Sequence, residues 1–426
     1  EKKVYAGRMP HYGAIYFVLR QFFDQAVAYD AYVLLQIFAD SLATVVFALL
    51  CFEIFRKRSA FWVGFTVHLC SLNFILFSVQ LWTESLSLSF AVFFAYFSHR
   101  FWAEAEWKNA VWAAVFLALM TSLKPYFVLI YPIFLISVFI NLDKNQKALV
   151  RRQVLVTVGR TALLGLPLAL LLAPWVARNL VVLDRFIPTQ QDFYAGYDYS
   201  QAHLAFVEFV SSWGASSVPW DANDAGCYFL LVKGKTCDYV LPERALTNGY
   251  SREDVERVRS EFLNLQVNYS PEVDSKVAAE FLNLSRIYRL EQPFNYHIGA
   301  RLFYFEKLFF VSYRYRFPFF KHSEHYWMLQ SLFGFTQVAI RFVLLFIGAL
   351  GLINLALRAR ISFIFIFIPL LISISFVELR TTERRYVEPV YVFLLIGIVG
   401  VMGSFGQIFK RQWGKYFPAD IKSETN

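Results

Sequence analysis

Leu170-Leu-Leu-Ala-Pro-Trp-Val-Ala-Arg-Asn-Leu-Val-Val-Leu-Asp-Arg-Phe-Ile-Pro188 is where the character of this chain changes. Before it, apolar runs of about 20 residues, the length needed to cross a bilayer, are joined by short loops. After it, polar mixed-charge sequence runs to about residue 330, and then apolar runs return. The stretch is read as the end of a membrane helix and the start of a soluble excursion, with Arg178 and Asn179 at the exit.

The totals agree with that reading. Of 426 residues, 57% are hydrophobic and only 17% charged, against roughly 25% charged in soluble domains. Mean hydropathy is +0.44. The formal charge of +9 could indicate nucleic acid, but the cations lie in short loops between apolar runs. That is the distribution expected of a membrane protein, and it argues against a nucleic-acid partner.

Nine spans are expected: Ala31–Phe55, Phe61–Trp82, Glu84–Phe101, Asn109–Leu123, Pro125–Leu142, Val154–Val176, Gln337–Leu357, Ile361–Leu379 and Tyr386–Phe409. Residues 1–30 read as interfacial helices. The loops at 56–58, 99–108, 143–152 and 358–360, with the tail from 410, are basic and so are assigned to the cytoplasm. The turns at 82–84, 123–125 and 380–385, the N-terminal segment and the large loop then fall outside. This sidedness predicts one further span before Glu1. The expected parts are 1–179, an outer loop domain at 180–330, spans at 331–409 and a tail at 410–426.

In the loop, Ser251 followed by Asp254 resembles a capping box opening a helix, and a second helix is expected over Ser275–Leu290. The aromatic and basic segment Phe294–Phe320 suits a membrane interface. Cys227 and Cys237 can form a disulfide in an oxidising compartment. Cys51 and Cys70, inside spans, read as packing residues. Two sequons begin at Asn268 and Asn283. Neither a phosphate-binding loop nor a dinucleotide fingerprint or nucleophile elbow occurs.

The outer turns carry polar groups that apolar packing does not select: Arg8, His11 and Tyr12; Thr83 and Glu84; Lys124; Arg178 and Asn179; Arg385 and Tyr386. Arginine binds phosphate through a fork and lysine as a point charge. A carboxylate beside them could take a proton or hold a divalent metal. Each has a plainer reading. Glu84 suits a helix N-terminus, Lys124 and Arg178 suit snorkelling anchors, and Arg8 and His11 suit an interface. Asp40, inside a span, reads as a satisfied structural pair; His68 and Arg160 also read as structural.

Five motifs in order resemble the integral-membrane glycosyltransferases of the GT-C fold, nearest the bacterial protein O-mannosyltransferase-like and lipid A aminoarabinose transferase groups. They are Gly7-Arg-Met-Pro-His-Tyr-Gly13, Trp82-Thr-Glu-Ser-Leu86, Leu123-Lys-Pro125, Pro174-Trp-Val-Ala-Arg-Asn179 with Phe186-Ile-Pro188, and Glu383-Arg-Arg-Tyr-Val-Glu-Pro389. Lys124 replaces the family's arginine, and His11-Tyr-Gly13 departs from its Gly-Tyr-Pro.

The resemblance implies an all-α polytopic membrane protein with a GT-C-like bundle and a mainly helical extracytoplasmic domain. It also implies inverting sugar transfer from a polyprenyl-phosphate donor to a protein, lipid or glycan acceptor. Arg8, Lys124, Arg178 and Arg385 would hold the carrier phosphate, with His11, Tyr12, Asn179 and Tyr386 at the substrate. Glu84 would be a second acid or a metal ligand; the family's principal acid lies upstream of residue 1. The implied location is a bacterial inner membrane with the loop in the periplasm. The rival readings are a non-catalytic subunit of a membrane complex and a transporter of a lipid-linked substrate.

Overall fold

The structure is a computed structural model, and it describes residues 10–79, 83–144, 158–189, 200–218, 224–230, 237–310, 326–382 and 384–416. Among these the protein is all-α; the lone β-bridge joins Thr247 and Tyr250. The chain divides into two compact units, one of residues 1–191, 312–372 and 387–426, the other of 192–311 and 373–386.

The first unit opens with α1 (Pro10–Phe22) and α2 (Gln25–Phe55). Asp24 starts α2 by accepting the Val27 N–H at 2.9 Å, an N-cap that satisfies a donor the helix cannot. Next come α3 (Arg58–Leu69), α4 (Leu72–Ser78), α5 (Thr83–Glu104), α6 (Trp107–Leu123), α7 (Ile130–Lys144) and α8 (Leu166–Leu183). Pro125 ends α6, because a residue before proline is driven out of the helical region; Lys124 is extended at φ −140°, ψ 107°.

In the second unit, α9 (Gln201–Ser212), α10 (Arg252–Val267) and α11 (Pro271–Glu291) pack around Phe206, Phe209, Phe229, Phe262 and Phe281. The Ser251–Asp254 capping box is formed. The following helix begins at Pro271, earlier than Ser275, because proline fits a first-turn position whose N–H has no partner. Asp274 caps a different helix: its carboxylate accepts from the Ser200 hydroxyl and from the Gln201 and Ala202 N–H groups at 2.9 and 3.1 Å. A π turn at Asn295–Gly299 leads into α12 (Ala300–Phe309). Cys227 and Cys237 are joined by a disulfide.

The first unit resumes with α13 (Tyr326–Val343), a π turn at Leu344–Gly348 and α14 (Ala349–Leu357). α15 (Ile364–Glu378), whose residues from Ser373 belong to the second unit, and α16 (Glu388–Tyr416) follow. α14 and α16 meet backbone to backbone. A Cβ added at Gly351 would lie 2.1 Å from the Gly397 carbonyl oxygen, and one at Gly397 only 1.9 Å from that of Gly348. Small residues permit such approach in apolar bundles.

The nine expected spans are not nine continuous helices. Among the described residues, three helices are long and apolar enough to cross a membrane: Gln25–Phe55, Leu166–Leu183 and Gly334–Leu357. Four apolar helices among the same residues are shorter: Trp107–Leu123, Pro125–Asn141, Ile364–Glu378 and Glu388–Gly403. The expected span Phe61–Trp82 breaks at Cys70 and Ser71 into α3 and α4. An apolar run records composition, whereas helix continuity also depends on its breakers.

Gly397→Ala should lower the melting temperature of the full chain and spread its size-exclusion peak. Gly403→Ala, whose added Cβ meets nothing within 4 Å, should do neither. Burial holds the His203 imidazole at about 4, below its ordinary 6.5, so the folded unit prefers the neutral ring. That stability is present above pH 6.5 and is lost as pH falls toward 4. Hydrogen exchange across α9–α11 should accelerate over this window, and His203→Phe should flatten the change.

Candidate functional site

Glu84 and Lys124 are brought together. Lys124 Nζ donates to Glu84 Oε1 at 2.6 Å, with side-chain exposures of 7% and 2%. Glu84 sits in the first turn of α5, where the helix dipole favours an anion. Its Oε2 accepts from the Thr83 hydroxyl at 3.1 Å. Pro125 places Lys124 just past the end of α6, so the pair links two helix termini. A buried ion pair repays its desolvation only through close geometry and further hydrogen bonds.

α1 packs over this end of the bundle. Tyr12 stacks on Tyr32 with centroids 4.9 Å apart and donates to Gln36 Oε1 at 3.1 Å. Burial first, and then the negative Glu84, push the Tyr12 phenol above its ordinary value. His11 lies against the backbone of Ser122 and Leu171, and burial lowers its pKa. A pocket of about 430 Å³ opens here, lined by His11, Leu19, Leu86, Phe90, Leu119 and Ser122 among others. Two of its lining residues, Leu86 and Leu123, are sequence neighbours of the ion pair.

Arg178 and Asn179 make contacts within the chain. Asn179 is fully buried; it donates to the Ile187 carbonyl at 2.9 Å and accepts from Arg178 Nη1 at 2.7 Å. Trp175, one turn earlier on the same face, donates to the Thr189 carbonyl at 2.9 Å. The Trp-x-x-Arg-Asn motif therefore fastens the departing chain to α8. Asn179 is a structural clasp, giving one N–H and its oxygen to that contact. The Arg178 guanidinium lies 5.1 Å from the Trp175 ring and keeps donors beyond the one given to Asn179.

Arg385 and Tyr386 belong to the second unit, in a short 3-10 turn, where Tyr386 stacks on Phe376 at 5.0 Å. Arg8 lies outside the described residues. Among the described residues no three His, Cys, Asp or Glu side chains gather as a metal site. Glu84 instead has a lysine as its close partner.

A second buried pair escaped the sequence reading. Arg341 Nη2 donates to Glu388 Oε1 at 3.0 Å, with side-chain exposures of 2% and 1%, and the guanidinium lies 5.5 Å from the Tyr391 ring. Charge inside an apolar run was the available signal. The two pairs share a level. The Tyr96 hydroxyl meets Glu53 of α2 at 3.3 Å, and a Cβ added at Gly400 would lie 3.3 Å from Phe55. Glu84 and Glu388 each precede those contacts by about twelve residues, roughly 18 Å of helix.

Lys124→Met strands Glu84 in an apolar site and should cost about 3–5 kcal/mol, whereas removing both charges should be close to neutral. Thermal unfolding of the full chain in detergent should show the single variant far below wild type and Glu84→Met with Lys124→Met near it. Equal losses would mean that the pair itself supplies the stability. Comparison with protein-family models, curated proteins and solved structures finds no match to this chain.

Proposed function

We propose that the chain is a membrane glycosyltransferase that moves a sugar from a polyprenyl-phosphate carrier to an acceptor at the extracytoplasmic face. The observation that carries this is the buried Lys124–Glu84 pair beside an apolar pocket. A lipid phosphate needs both features, a cation for its head and an apolar channel for its first isoprene units. Lys124 exchanges Glu84 for the phosphate, as a point charge that offsets the growing negative charge on the leaving oxygen. Glu84, released, orients the incoming acceptor. Arg178 supplies a second cation at the exit of α8.

The ordered motifs quoted from the sequence support the same reading. In it the apolar runs, including the short and broken ones, lie in a bacterial inner membrane, with residues 180–330 in the periplasm. One observation favours a second reading as a non-catalytic subunit: Asn179 and part of Arg178 are absorbed in fastening the chain.

The test is incubation of the full chain in lipid with a panel of polyprenyl-phosphate sugars, measuring free polyprenyl phosphate. Wild type should release it from at least one donor. The Glu84→Met, Lys124→Met double variant, folded by its thermal transition, should release none. Absence of release by wild type across the panel, or wild-type release by the double variant, would sink the assignment.

A further inference from the structure

In the second unit, the π turn at Asn295–Gly299 and α12 form a helical stretch that is apolar on two sides. Tyr296, Ala300, Tyr304 and Leu308 are buried, and the Tyr304 hydroxyl donates to the Ala215 carbonyl at 2.6 Å. Phe294, Ile298 and Leu302 repeat at the same four-residue spacing, which keeps them together on one face. They are 67%, 45% and 59% exposed. A helix apolar all round is normally buried in a core or a membrane. This one has an open apolar face, and with Arg301, Glu306 and Lys307 along it it is too short and too charged to span a bilayer.

Cations gather beside that face. The guanidinium groups of Arg289, Arg301 and Arg380 lie 6.0, 5.6 and 5.4 Å from the centre of the Tyr296 ring. Arg301 is matched, because it donates to both carboxylate oxygens of Glu378 at 3.3 and 3.1 Å. Arg380 donates to the Tyr296 hydroxyl at 3.2 Å and to the Glu208 backbone carbonyl at 3.5 Å, which are neutral acceptors. Neither Arg289 nor Arg380 forms an ion pair among the described residues. Arg289 suits the last turn of α11, where the helix dipole is negative. That accounts for one cation and not for three around one ring. Like charges this close repel, and Glu378 offsets only one of them.

Glu378 also fixes what the face adjoins. It ends α15, an apolar helix, and the next residue, Leu379, is 67% exposed. Residues 373–386 belong to the second unit. The open apolar face, the arginines and the end of an apolar helix are therefore parts of one compact body.

We propose that this face seats on the surface of an anionic bilayer. Phe294, Ile298, Leu302 and Leu379 enter the boundary between headgroups and acyl chains, and Arg289 and Arg380 take lipid phosphates. An apolar face flanked by cations is the make-up of a helix that lies in the interface. Arginine meets phosphate through a planar fork, and the two unmatched charges select anionic over zwitterionic lipid. The apolar helix that ends at this face favours lipid over an acidic soluble protein as the occupant. The proposal stands apart from the transfer reading, since it uses neither the Lys124–Glu84 pair nor the pocket beside it.

The experiment places the full chain in nanodiscs of phosphatidylcholine, alone or mixed with phosphatidylglycerol, and follows hydrogen exchange by mass spectrometry. Amides over 294–309 should exchange about fivefold more slowly in the anionic discs, the gain expected from one arginine at an anionic surface. Added salt should shrink the difference. Arg289→Gln with Arg380→Gln should abolish it. Arg257→Gln with Lys276→Gln, which removes two cations from ion pairs on α10 and α11, should leave it intact. Unchanged exchange over 255–265, in the core of the unit, shows that each variant is folded. Equal exchange in the two kinds of disc, or an anionic effect kept by the Arg289, Arg380 double variant, overturns the proposal. So does the same slowing by inorganic phosphate in neutral discs, which would assign the arginines to a soluble anion. Slowing that grows with protein concentration in neutral discs would assign the face to a second copy, and overturns it too.

Discussion

Charge inside an apolar bundle has to be matched, and that constraint organises the first unit. Glu84 meets Lys124 and Arg341 meets Glu388, in both cases almost completely shielded from solvent. Apolar helices can also be held together without charge. Interlocked glycines do that at the α14–α16 contact, where Gly348, Gly351 and Gly397 let two backbones touch. Buried ion pairs are poor sources of net stability and could often be replaced by apolar residues. Two of them lie at one level, on helices that pack together.

What the sequence reveals is local. Pro125 after Lys124, Ser251 before Asp254 and Asp24 before α2 act within a few residues, and each sits where its chemistry demands. What it conceals is the partner across the fold. Asp274 caps a helix that begins more than seventy residues earlier, and nothing near Asp274 announces it. Arg341 and Glu388 sit in apolar surroundings 47 positions apart; each alone reads as an anomaly, and together they are a pair. Glu84 and Lys124 were legible as candidates because both lie at helix ends. Their contact was not legible, because it depends on how α5 and α6 align.

The 170–188 junction shows a motif whose side chains also serve the chain itself. Its position at the end of a long apolar helix is as expected. Its Trp175 and Asn179, however, spend their donors on the carbonyls of Thr189 and Ile187. A chain leaving a helix has carbonyls that no helical N–H can satisfy, and side chains one turn apart on the same face can do so. That requirement explains the Trp and the Asn without any ligand. Arg178 is the member of the motif with donors to spare, so functional weight shifts from the asparagine to the arginine.

Asp40 shows the opposite case. From sequence alone, a carboxylate within an apolar helix is most simply a hidden partner of some distant cation. In the structure the buried cations Lys124 and Arg341 are engaged by other acids, Glu84 and Glu388. Its neighbours Gln36 and Thr44 are satisfied by Tyr12 and His68, yet neither supplies a counter-charge. An acid held near an apolar core without a cation leaves its burial uncompensated by any counter-charge.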